Sequence, residues 1–132
     1  MKYHKRAAVI IIKDNKILLM HRLKNDREYY TIPGGTLEDE ETIEQTAIRE
    51  IKEETGLDIS LSELLWEYKD EYHHGYYFLA QNINGQVELG GEELDKNNPQ
   101  NHYALEWIEL KNIKNILLYP RQIAENIYKK FK

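Results

Sequence analysis

The chain has 132 residues, 41% of them hydrophobic and 31% charged, enough for one domain with a real core (1–132). It has no cysteine, which excludes disulfides, thiolate metal sites and a cysteine nucleophile. Its net charge of −5 is concentrated between residues 38 and 54, where eight carboxylates face only Arg49 and Lys52; the rest is nearly neutral, a poor surface for nucleic acid.

The N-terminal "MKYHKRAAVIIIKDNK" has a short apolar run and no small-residue cleavage site, so it reads as a first strand and not a signal peptide. No apolar run approaches the roughly 20 residues of a membrane span. No membrane association is expected, and the cytoplasm is the expected location. "RAAVIIIKDNKILLMHRL" reads as two strands joined at Asp14-Asn15, with Ala7–Ile12 buried on both faces. "EYYTIPGGTL" is a short strand broken by the turn signal Pro33-Gly34-Gly35. A helix is predicted from Thr42 to Thr55, with Gly56 as its left-handed cap. Strands follow through "ELLWEYKDEYHHGYYFLAQNINGQVEL", with a hairpin turn expected at Asn84-Gly85. Residues 90–101 form a long polar loop, and "HYALEWIEL" is a further strand. The last helix has Pro120 in its first turn, Ile123, Ile127 and Phe131 on one face, and lysines at its end. The order of elements implies a mixed sheet covered by helices on both faces.

On the acidic helix, Ile43, Ala47, Ile48 and Ile51 are expected to face the sheet. Glu50, Glu53 and Glu54 share a neighbouring face, and Arg49 sits one turn before Glu53. Carboxylates late in a helix oppose its dipole and repel one another at a few tenths of a kcal/mol per pair, about 0.2–0.5. A solvated acidic face is the ordinary explanation of such a cluster. A bound divalent ion with a preference for oxygen is the other, and the Gly34-Gly35 loop that leads towards the helix lets backbone approach a ligand closely.

Gly35, Glu41 and "REIKEETGL" at 49–57 together resemble the Nudix box in full: Gly35, Glu41, Arg49, Glu50, Ile51, Glu53, Glu54, Gly56 and Leu57. The lead-in "YTIPGG" and the strand order extend the resemblance to most of the chain, with Tyr30 standing where many relatives have tryptophan. The resemblance implies an α/β/α sandwich around a mixed β-sheet. It implies hydrolysis of a diphosphate linkage in a nucleoside diphosphate derivative, with Mg²⁺ or Mn²⁺. By matching positions it implies Glu50, Glu53, Glu54 and the Gly35 carbonyl as metal ligands. Glu53, or Glu92 or Glu93 in the downstream loop, is the candidate general base, and Arg49 orients Glu53. Arg22 matches a phosphate-contacting position. Tyr30, Tyr76 and Phe78 are candidates for stacking on a nucleobase, with sheet packing as their alternative.

A nucleoside triphosphate, including oxidised forms, is the expected small-molecule substrate. ADP-ribose, nucleotide sugars and dinucleoside polyphosphates are the alternatives, and a non-catalytic nucleotide sensor is the alternative class. The expected state is a monomer or homodimer without stable nucleic-acid binding.

Overall fold

A computed structural model describes residues 4–90 and 101–131. Its elements are β1 (His4–Ile10), β2 (Ile12–Lys13), β3 (Lys16–Lys24), β4 (Arg27–Thr31), β5 (Gly34–Thr36), α1 (Ile43–Thr55), β6 (Asp58–Lys69), β7 (His73–Asn84), β8 (Asn101–Glu109), a 3₁₀ turn (Leu110–Asn115), β9 (Leu118–Tyr119) and α2 (Arg121–Phe131).

Alternating side chains of one buried strand set the layers. In β1, Ala7 and Val9 pack towards α1 with Ala47, Ile51 and Phe78, and Ile11 just beyond the strand joins them. Ala8 and Ile10 point the other way, into a core built with Ile123 and Ile127 of α2. Every residue from Ala7 to Ile11 is therefore essentially buried, as the unbroken apolar run requires.

The strands form two sheets. One runs β5-β1-β7-β6, with β1 parallel to β7 and the other pairs antiparallel. The other runs β2-β3-β4-β9, with β8 along β3. A hydrogen bond from the Leu18 N–H to the Ile11 carbonyl joins them. The single mixed sheet expected from the sequence is thus split in two, and the helices still cover both faces. The α/β fold class stands.

Local chemistry accounts for the turns. Asp14 and Asn15 both have positive φ, 54° and 63°, and Lys13 pairs with Lys16 across them. This is the two-residue hairpin that Asp and Asn favour because they tolerate left-handed backbone. Asn25 and Asp26 repeat it between β3 and β4, with φ of 47° and 68°.

Three expectations are corrected. Asn84-Gly85 is not a hairpin turn: β7 ends there, and 86–90 contain no strand. This stretch instead crosses the end of α1, where Glu88 N–H donates to the Thr55 carbonyl and Gly90 N–H to the Glu54 carbonyl. The last carbonyls of a helix lack partners within it, and the crossing chain supplies them. Ile48 is 41% exposed and does not join the sheet-facing stripe, which consists of Ala47 and Ile51 with Ile43 beside them. Pro120 lies just before α2 and not within it; its carbonyl accepts the Ala124 N–H.

Candidate active site

Helix α1 starts and stops where its capping residues dictate. Thr42 Oγ1 accepts the Gln45 N–H at 3.1 Å, and Gln45 Oε1 accepts the Thr42 N–H at 2.9 Å, a closed capping box. Gly56, at φ 79°, ends the helix. These limits fix which turn of the helix carries Glu50, Glu53 and Glu54.

The glycine loop and the helix meet at two contacts. Gly34 N–H donates to Glu54 Oε2 at 3.3 Å, and Glu54 is only 4% exposed. A Cβ on Gly35 would lie 2.1 Å from the Glu50 carboxyl carbon, so only glycine lets the Glu50 side chain lie against that backbone. Glu53 is the most exposed of the three.

Arg49 holds the arrangement. Its Nε donates to Glu41 Oε2 at 2.6 Å and its Nη2 to Glu41 Oε1 at 3.0 Å. Its Nη1 donates to Glu50 at 2.9 Å and to Glu53 at 3.2 Å. Glu41 also accepts from the Thr46 hydroxyl at 2.8 Å and from the Glu38 N–H at 3.1 Å. The Arg49 hydrogen bonds hold the Glu41 carboxyl at a pKa of about 2, and the pairing raises that of Arg49 in turn. The i, i+4 spacing found Arg49–Glu53. Its stronger contact, with Glu41, spans eight residues and follows from no helical spacing, since Glu41 precedes the helix.

Among the described residues, no three His, Cys, Asp or Glu side chains are gathered closely enough to hold a metal ion, since Glu50 and Glu53 both turn to Arg49. The donor set still fits a hard divalent cation in kind: three carboxylates from one helix face, one of them packed on the Gly35 backbone.

Beside Glu54, where the two sheets diverge, a cleft of about 460 Å³ opens. Arg6, Gly34, Tyr68 and Tyr77 line one wall, and Met20, Arg22, Tyr103 and Tyr119 the other. Arg22 lies over the Tyr103 ring at 4.3 Å and donates to its hydroxyl at 2.6 Å. Its Nε is buried without a hydrogen-bond partner among the described residues. A second hollow of the same volume, by Asp14, Leu110 and Phe131, contains no α1 residue.

The aromatic candidates lie elsewhere. Tyr30 stacks on His21 with ring centres 4.5 Å apart, and His21 is held between Glu28 and Glu106. Tyr76 stacks on His74, and Phe78 is buried beneath α1. None of the three lines the cleft. Side chains alternate along a strand, so each points to the face opposite its cleft-lining neighbour, Thr31 or Tyr77. Glu92 and Glu93 lie outside the described residues. Sequence reasoning missed Arg6, Tyr77 and Tyr103, and only strand register could have found them.

A family model described as the NUDIX domain matches residues 2–131. An ADP-ribose pyrophosphatase of Methanocaldococcus jannaschii is 40% identical over 98 residues, 67% of this chain and 58% of that protein. An 8-oxo-dGTP diphosphatase of Proteus vulgaris is 42% identical over 66 residues, 48% of this chain and 59% of that protein. These alignments therefore span about three fifths of each relative's own length. The crystal structure of a MutT NUDIX hydrolase from Burkholderia pseudomallei matches with a TM-score of 0.73 at 25% identity, covering 96% of this chain and 98% of that one. With the model spanning nearly every residue and the glycine loop packed on the acidic helix, the chain belongs to the NUDIX domain family.

Proposed function

We propose that this protein hydrolyses a diphosphate linkage in a nucleoside diphosphate derivative, with a nucleoside triphosphate, oxidised forms included, as the first candidate. The observation that carries the reading is the contact of Gly34 and Gly35 with Glu54 and Glu50, at the mouth of a cleft that also holds Arg22.

Glu50, Glu53, Glu54 and the Gly35 carbonyl would hold Mg²⁺ or Mn²⁺. Such an ion neutralises phosphate oxygens and makes water a better nucleophile. The chain's own groups do the rest. Arg49 positions the Glu50 and Glu53 carboxylates. Glu53 accepts the proton of the attacking water at a carboxylate oxygen. Arg22, stacked on Tyr103 and with a buried Nε still to be satisfied, donates to a phosphate oxygen.

Two named relatives support different substrates, ADP-ribose and 8-oxo-dGTP. The alignment to the first covers more of this chain and makes ADP-ribose the second candidate, ahead of nucleotide sugars and dinucleoside polyphosphates.

The test is chromatographic analysis of the products released from a panel of canonical and oxidised dNTPs, ADP-ribose, nucleotide sugars and Ap₄A, with Mg²⁺ or Mn²⁺: a nucleoside monophosphate with pyrophosphate from a triphosphate, with a sugar phosphate from ADP-ribose or a nucleotide sugar, and two nucleotides from Ap₄A. Glu53→Gln should lower turnover at least about 100-fold with the fold intact. Unchanged turnover in that variant removes Glu53 from the mechanism. No release from any compound, with thermal stabilisation by one of them, makes the protein a nucleotide sensor.

A further inference from the structure

Thr46, Glu54 and Thr55 are the polar side chains buried among the described residues. Glu54 meets the glycine loop, and the Thr55 hydroxyl serves the end of the helix, donating to the Ile51 carbonyl and accepting the Leu57 N–H. Thr46, the fourth residue of α1 and 0% exposed, has no part in the mechanism above.

Threonine is a poor helix former, and its hydroxyl, once buried, has to find an acceptor. The usual one is the carbonyl four residues back. That carbonyl, of Thr42, lies 3.1 Å from Thr46 Oγ1 but already accepts the Thr46 N–H at 3.0 Å. The Glu41 carboxylate is nearer, at 2.8 Å, and charged, so the single hydroxyl proton goes to Glu41 Oε1. Glu41 precedes the helix, and this oxygen is held from two sides. The Glu38 N–H donates on the exposed side, where water can replace it; Thr46 donates from a residue sealed against water. The carboxylate is thereby kept in the plane that a two-nitrogen grip by a guanidinium requires.

A guanidinium has five N–H groups, and Arg49 commits all of them. Three go to partners that stay in place: Nε and Nη2 to Glu41, and Nη2 again to the Thr36 carbonyl at 3.3 Å. Two, on Nη1, go to Glu50 and Glu53, the carboxylates that a divalent ion would draw away. A guanidinium anchored by the first three cannot follow them. One released from Glu41 can turn towards Glu50 and Glu53 and compete with the ion for their oxygens.

We propose that Thr46 is a positioning residue whose hydroxyl fixes Glu41 against Arg49 and thereby lets Glu50 and Glu53 pass to a divalent ion. This role rests on the metal-dependent reading above.

Mn²⁺ binding to the full chain without nucleotide, followed by the paramagnetic resonance of the free ion, tests it apart from turnover. Thr46→Val keeps the shape and removes the hydroxyl, and its dissociation constant for Mn²⁺ should rise about tenfold, while Thr46→Ser stays near wild type. A residue that only filled space would give the reverse: normal affinity in the valine variant and a defect in the serine variant, which lacks the methyl group. In Glu41→Ala, where the hydroxyl has no carboxylate to hold, adding Thr46→Val should weaken binding no further. Should Thr46→Val fail to fold, as its melting curve reports, Thr46→Ala against Thr46→Ser isolates the same hydroxyl. Equal Mn²⁺ affinity in wild type and Thr46→Val, equal affinity in the alanine and serine variants, or a valine defect that persists in full in Glu41→Ala each overturn the proposal, and wild-type Mn²⁺ binding with nucleotide cleavage then leaves the hydrolase reading intact. If wild type binds no Mn²⁺, the metal-dependent reading falls and the proposal falls with it.

Discussion

Arg49 grips Glu41 across eight residues of sequence with two hydrogen bonds of 2.6 and 3.0 Å, and the same guanidinium reaches Glu50 and Glu53. The residue that begins the loop-to-helix transition and those that end the helix thus share one cation. A planar fork can hold one carboxylate with two of its nitrogens and still donate from the third; an ammonium cannot. Arg49→Lys should therefore keep the fold and lower turnover at least tenfold, about 1.4 kcal/mol in the barrier, as read by steady-state kinetics beside a melting curve.

Glu41 makes stability depend on pH in a specific window. Its folded pKa is about 2, against an ordinary value of 4.5. A lowered carboxylate pKa contributes stability that is complete above about pH 4.5 and is lost as pH falls towards 2. Glu41→Gln should be less stable than wild type at neutral pH, with a stability curve that falls less steeply from pH 4.5 to pH 2. Chemical denaturation at a series of pH values checks this; parallel curves would show that the carboxylate is not coupled to folding.

The two loop glycines should fail in different ways. A Cβ on Gly34 would lie 2.1 Å from the Ala7 carbonyl and 2.6 Å from Ala8 Cα, both backbone atoms of β1. Gly34→Ala should cost about 1–3 kcal/mol in denaturant titrations, since a strand must shift. At Gly35 the obstacle is the end of the Glu50 side chain, which can swing away. Gly35→Ala should melt within a few degrees of wild type yet lose most of its activity, because Glu50 has moved.

Metal addition should be visible without substrate. An ion that binds only the folded protein raises its stability by about 2.7 kcal/mol at 100 times its dissociation constant. Mg²⁺ or Mn²⁺ should raise the melting temperature of wild type and raise it less in Glu50→Gln. An equal rise in both would place the ion elsewhere.

Gly56→Ala separates the cap from the chemistry. At φ 79°, a side chain costs about 1–2 kcal/mol, and this should appear as a lower melting temperature with turnover per folded molecule unchanged.

The sequence by itself determined the features that depend on neighbours a few residues away. The limits of α1, from Thr42 to Gly56, follow from a capping box and a left-handed glycine. The Asp14-Asn15 turn follows from two residues that tolerate positive φ, and the grouping of Glu50, Glu53 and Glu54 follows from helical spacing. Tertiary structure decided which side chains enter the cleft. Tyr76 and Tyr77 are adjacent tyrosines of equal propensity, and Tyr77 faces the cleft because β7 pairs with β1 in the one register that sets it beside Ala8. A shift of one residue would exchange them. That register is fixed by contacts some seventy residues apart, and no local pattern encodes it. The same holds for the grip of Arg49 on Glu41, which lies outside the helix and meets the guanidinium only in the folded chain.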